Sequence, residues 1–205
     1  MSQAVFLDLD SVTHGDIDLA QLERAADTWT LHALTARDQA AARIRDAEIV
    51  VTNKVVLDAA TVAGADRLRL ICVAATGTNN VDLQAAAARG ITACNVRDYG
   101  TPSVVEHVFG LILALRRRIL DYRAALHRGE WQRSPHFCLL DYPMVELNGA
   151  TLGIVGYGVL GRAVAQVAEA FGMRVRISAR PGGAVQPGRV ALDELLAEAD
   201  VLSLH

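Results

Sequence analysis

The chain has 205 residues, 52% of them hydrophobic and 5% aromatic, with 20 Lys and Arg against 23 Asp and Glu. That composition supplies apolar material for one large or two small cores and describes an ordinary globular chain. A formal net charge of −3 offers no basic surface to a nucleic acid, and no apolar run reaches the ~20 residues of a membrane helix. The N-terminal stretch enters a strand directly and lacks a signal-peptide layout, which predicts a cytoplasmic protein. Cys72, Cys94 and Cys138 show no C-x-x-C spacing and are expected as inert thiols, with Cys72 and Cys94 in buried strands and no metal site. Nineteen of the 20 cations are Arg and the single Lys is Lys54, either by chance or because a compact ammonium is wanted there.

In chain order, residues 5–9, apolar except for Asp8, predict a first strand. Residues 18–27 predict a helix with Leu19, Leu22 and Ala26 on one face, and residues 28–34 alternate like a strand. A helix over 36–45 leads to a buried strand at 48–52, then to a loop holding Asn53 and Lys54. Residues 58–63 predict a short helix ended by Gly64, and residues 70–74 the next strand. The polar turn that follows contains Ala75, Thr76 and Gly77. Asp82 caps a helix over 83–89, Gly90 closes it, and residues 91–96 form a fifth strand. Strand and helix alternate throughout, as in a doubly wound α/β domain. Ligands of such sheets sit outside the carboxyl ends of the strands. Asn53, Lys54 and the Ala75–Gly77 turn therefore share one rim, where they either hold a small carboxylate or only reverse the chain.

Residues 98–102 break the chain into domains 1–100 and 101–205. Ser103 and Glu106 have capping-box spacing and open a helix expected to reach at least residue 120. Its second half carries Arg116, Arg117, Arg118 and Arg123, a solvated face, and His107 is read as packed or exposed rather than catalytic. Residues 129–147 are irregular yet include Trp131, Phe137, Leu140, Tyr142 and Met144. An apolar arm of that kind is costly to expose and is expected to dock on another surface, such as a second subunit.

Residues 151–178 form one βαβ unit with Gly156, Gly158 and Gly161 at the strand-to-helix turn. Gly156 suits the tight turn, Gly158 lets backbone approach a pyrophosphate, and Gly161 lets helix and strand pack closely. The helix N-terminus then presents free N–H groups and the positive dipole end to phosphate. A Gly/Pro-rich loop follows over 180–188, then a helix over 192–199 and a third strand over 200–205.

These residues resemble the D-isomer-specific 2-hydroxyacid dehydrogenases, and within them the glycerate dehydrogenase/hydroxypyruvate reductase branch. The similarity runs through Val51-Thr52-Asn53-Lys54, residues 74–82, Asn95 to His107, residues 146–158 and Ala199 to His205. It implies a flavodoxin-like substrate domain, a Rossmann domain for NAD or NADP that is incomplete here, and an active cleft between the two. The implied reaction is hydride transfer between nicotinamide and C2 of a 2-hydroxy or 2-keto acid such as hydroxypyruvate or glyoxylate. At matching positions, Ala75, Thr76 and Gly77 would hold the substrate carboxylate beside Asn53 and Lys54. Thr101 and Val105 would border the nicotinamide, Tyr157, Gly158, Val159 and Leu160 the pyrophosphate, and His205 would begin the next cofactor-lining loop. A homodimer through the dinucleotide domain is implied too.

Two departures stand out. An NAD-specific site has an acidic residue after its second strand, and this chain has Ala179-Arg180, so NADP is expected to be accepted and favoured through Arg180. The Arg, Glu and His that carry the family's catalysis match nothing up to His205. The chain is therefore expected to be a fragment or a truncated relative, inactive by itself. The alternative is a non-catalytic dinucleotide-binding or interaction module on the same scaffold.

Overall fold

A computed structural model describes residues 1–180, 182 and 186–205; of the loop expected over 180–188, residues 181 and 183–185 lie outside the described ones. The chain forms two compact units, Met1–Asp98 and Tyr99–His205.

The first unit is built on five parallel strands, β1 (Gln3–Phe6), β2 (Thr28–Leu31), β3 (Ile49–Thr52), β4 (Leu70–Val73) and β5 (Thr92–Asn95). Their spatial order, β2-β1-β3-β4-β5, is the flavodoxin-like one. Parallel neighbours need crossovers, and these are α1 (Ala20–Glu23), α2 (Ala40–Ile44), α3 (Ala59–Ala63) and α4 (Leu83–Ala88). Val5, Val50 and Ile71 stand in one register row and pack with Leu7, Ile44, Val62 and Ala86 in a single core. Leu7, Ile44 and Ile71 are fully buried, each contributing about 1.5–3 kcal/mol relative to exposure.

The caps are local. Asp58 accepts from the Thr61 N–H at 2.9 Å and the Thr61 hydroxyl at 2.7 Å, and Asp82 accepts from the Ala85 N–H at 2.9 Å. The Thr61 N–H, then its hydroxyl, hold the Asp58 carboxyl below the ordinary carboxylate range. A depressed folded-state value adds stability above the unfolded pKa, and that contribution is lost as pH falls through the folded value. Asp58→Ala should therefore lower the urea midpoint at neutral pH, and the gap to the parent should narrow in acid. A gap independent of pH would remove the charged cap. By contrast, the helix expected over 18–27 shrinks to α1. Asp27 instead binds the Ser2 N–H at 2.6 Å and ties the start of β2 to β1.

The second unit has the parallel sheet β8-β7-β6-β9, made of β6 (Thr151–Val155), β7 (Arg174–Ser178), β8 (Arg189–Val190) and β9 (Val201–Leu204). The strand expected third in this sheet is fourth. The two-residue β8, which falls between the loop expected over 180–188 and the helix expected from 192 and was assigned to neither, precedes it on the outer edge of β7. α8 (Val159–Ala170) joins β6 to β7, and α9 (Leu192–Glu198) carries the chain back to β9 on the far side of β6.

The long helix also differs from expectation. It is α5 (Thr101–Arg116), which begins two residues before the expected Ser103 cap with Gly100 as N-cap and Pro102 in its first turn. Proline suits that turn because its fixed φ is helical and its missing N–H has no helical partner anyway. Arg118 at φ 54° then breaks the helix, pairs with Asp121 at 2.8 Å, and starts α6 (Ile119–His127), followed by α7 (Glu130–Arg133). Phe109 of α5 stacks on Phe171 after α8 at 5.3 Å, over a core of Ile112, Leu152, Ile154, Val164 and Ala168. No helix among the described residues is long and apolar enough to cross a membrane. The thiols are not the buried pair expected. Cys94 is exposed because β5 is an edge strand, Cys72 on β4 is half-buried, and Cys138, outside any strand, is exposed.

Candidate functional site

In the first unit the strand order reverses between β1 and β3, a topological switch point where ligands of open sheets bind. Asp8 leaves the carboxyl end of β1 and is 2% exposed. Its carboxylate accepts from the Asn53 N–H at 2.9 Å and the Lys54 N–H at 2.6 Å, immediately after β3. The Asn53 side-chain amide donates to the Ser11 carbonyl at 3.1 Å and the Ser11 hydroxyl at 3.0 Å, closing the latch from the other side. Lys54 itself is exposed on the rim.

The next strand, β4, delivers the Ala75–Gly77 turn to the same rim. Asn95 donates to the Thr76 carbonyl at 2.7 Å and Val96 to the Ala75 carbonyl at 3.1 Å. Ala75 is buried, while Thr76 and Gly77 are exposed. Asn80 donates to the Val55 carbonyl at 3.1 Å and so joins the two loops. The five expected substrate residues thus lie on consecutive carboxyl ends. Asp8, which holds two of them, was missed, although a lone carboxylate directly after a buried strand is a signal visible in sequence.

In the second unit the switch point lies between β6 and β9. The glycine turn leaves β6 there, and the His205 N–H donates to the Val155 carbonyl at 2.9 Å beside it. Gly156 adopts φ 95°, and a Cβ there would overlap the His205 carbonyl. A Cβ on Gly161 would overlap the Gly156 carbonyl. Gly158 differs: a Cβ there would meet nothing within 4 Å. It is the N-cap of the 12-residue α8 and offers no side chain to the helix's first N–H groups. Open space, bare backbone and the positive end of a helix dipole together fit a pyrophosphate. Val159 is exposed and Leu160 half-buried at the start of that helix.

The remaining expected residues fall around this turn. Val105 and Tyr157 both pack against the second core. Thr101 lies in the first turn of α5, and its buried hydroxyl has no hydrogen-bond partner among the described residues, a polar atom a bound nicotinamide amide could satisfy. His205 Nε2 lies 2.9 Å from the Ser203 hydroxyl, and burial lowers its pKa. Arg180 is exposed just after β7. Arg189, on β8, was missed because a two-residue strand leaves no periodicity to read. Its guanidinium sits over the Tyr157 ring at 5.9 Å, putting a cation beside the glycine turn. No group of three or more His, Cys, Asp or Glu able to hold a metal occurs among the described residues.

Residues 109–205 match the family model of the D-isomer specific 2-hydroxyacid dehydrogenase NAD binding domain. Over 99% of its length the chain is 42% identical to a glycerate dehydrogenase of Methylorubrum extorquens, covering 63% of that protein. It is 35% identical over 98% of its length to a hydroxypyruvate reductase of Blautia hydrogenotrophica, covering 64% of it. The chain thus spans less than two thirds of the length of these relatives. Among solved structures it resembles a D-lactate dehydrogenase from Aquifex aeolicus complexed with NAD and lactic acid, at TM-score 0.78 and 27% identity over 98% of this chain and 60% of that one.

Proposed function

The chain belongs to the D-isomer-specific 2-hydroxyacid dehydrogenase family, and from that premise we propose that it binds a nicotinamide dinucleotide in its second unit and a small 2-hydroxy or 2-keto acid in its first. The observation that carries this function is the uncapped α8 N-terminus behind Gly156 and Gly158 at the β6 switch point. A bound dinucleotide would exchange a hydride with C2 of the acid. This chain's residues would do the holding. Gly158, Val159 and Leu160 present backbone N–H groups to pyrophosphate, with Tyr157 packed beneath them. Thr101 and Val105 border the nicotinamide, and His205 lines the adjoining loop. Ala75, Thr76 and Gly77, with Asn53 and Lys54, orient a carboxylate like that of hydroxypyruvate or glyoxylate. Proton transfer is assigned to none of the 205 residues, so binding rather than turnover is the test.

Arg180 favours NADPH, because a guanidinium pairs with a 2′-phosphate where an acidic residue would repel it. In a fluorescence titration of the 205-residue chain, both reduced cofactors should bind, NADPH about tenfold tighter. Arg180→Ala should abolish that preference and leave NADH affinity unchanged. Equal affinities in the parent chain would discard Arg180 as selector, and failure of both cofactors to bind would discard the site. The protein acts in the cytoplasm as a homodimer. What supports the dimer is the arm after α7, where Phe137 is 93% and Leu140 79% exposed, an apolar surface that a second copy would cover.

A further inference from the structure

Cys72 and Cys94 occupy the same register position on the adjacent parallel strands β4 and β5. Equivalent positions on neighbouring parallel strands project to the same face, and such strands lie about 4.8 Å apart, within the ~4.4–6.8 Å between Cα atoms that a disulfide spans. The Cys94 thiol donates to the Cys72 sulfur at 3.5 Å. Both line an apolar recess of about 320 Å³ with Leu22, Ala25, Trp29 and Val51, large enough to admit a small thiol reagent. Asn95, next to Cys94, holds the Thr76 carbonyl, so this pair stands directly behind the Ala75–Gly77 turn.

We propose that Cys72 and Cys94 form a dithiol site that closes into an intramolecular disulfide by exchange with a low-molecular-weight disulfide, and that closure stiffens the Ala75–Gly77 turn. The exposed Cys94 thiolate attacks one sulfur of glutathione disulfide. That S–S bond breaks, and one glutathione leaves as a thiolate. Cys72 then gives its proton to solvent and attacks the Cys94 sulfur, expelling the second glutathione. Two protein thiols are oxidised, and one external disulfide is reduced to two thiols. Burial, and then the neighbouring Cys94, push the Cys72 thiol up to about 12, which keeps it protonated and makes Cys94 the first to react.

The test is peptide mapping of the 205-residue chain after equilibration with reduced and oxidised glutathione, quenching and alkylation. A Cys72–Cys94 cross-linked peptide should form and be reversed by dithiothreitol, with Cys138 outside it. In Cys72→Ser, Cys94 should stop at the glutathione adduct. The site is overturned if the parent chain also stops at that adduct, if both thiols stay alkylatable, or if either one pairs with Cys138 or a second chain. Hydrogen exchange at Thr76 and Gly77 should slow in the bridged form, and unchanged exchange there would overturn the link to the turn.

Discussion

Gly158→Ala should leave the fold intact and weaken dinucleotide binding at least about tenfold, as one pyrophosphate-facing hydrogen bond to a charged group is lost. Nothing lies within 4 Å of a Cβ at that position, and its φ of −85° is open to any residue, so the urea midpoint should not fall. The methyl group would instead occupy the space into which phosphate must come to meet the α8 N–H groups. The neighbouring glycines should behave in the opposite way. Gly156→Ala combines a left-handed backbone with overlap of the His205 carbonyl, and Gly161→Ala overlaps the Gly156 carbonyl. Backbone cannot yield as a flexible side chain does, so each should lose on the order of 3 kcal/mol. Paired denaturation and NADPH titrations of the three variants would separate the roles. Full cofactor affinity in Gly158→Ala would mean that the phosphate lies elsewhere.

Asp8→Ala should destabilise the first unit by roughly 2 kcal/mol, because it leaves two part-buried N–H groups without their acceptor. Those are the amides of Asn53 and Lys54, which in the parent chain reach the carboxylate at 2.9 and 2.6 Å. Asp8→Asn keeps one acceptor oxygen and should recover part of the loss. In amide-resolved NMR the perturbation should spread from Asn53 and Lys54 to Ser11, the other partner of the latch. A variant as stable as the parent, with these resonances unmoved, would show that the Asn53–Lys54 turn holds its shape without Asp8. Because Lys54 stands on that turn, the same change should weaken binding of a small carboxylate while sparing the dinucleotide.

What the chain's order of residues determined by itself is local. The glycine turn was legible because Gly156 needs φ 95°, which β-carbon sterics deny most residues, and because a strand and an amphipathic helix flank it. The cap at Asp82 was legible for a similar reason, since it bonds an N–H three residues away. The family's motifs also lie within short segments, so both carboxyl-end rims could be named residue by residue. Strand order was another matter. β9 pairs with β6 across roughly fifty residues of crossover, and no periodicity in either strand says which flank it joins. For β8, two residues are too few to show any period, and with β8 went Arg189 and its place over Tyr157. The Asp8 latch spans 45 residues and the Cys72–Cys94 pair 22, and both exist only because parallel register aligns strands that are remote in sequence. Local sterics and short hydrogen bonds act within a few residues and so leave their trace in the sequence. Register and strand order come from packing the whole sheet against its helices, which only the tertiary structure decides.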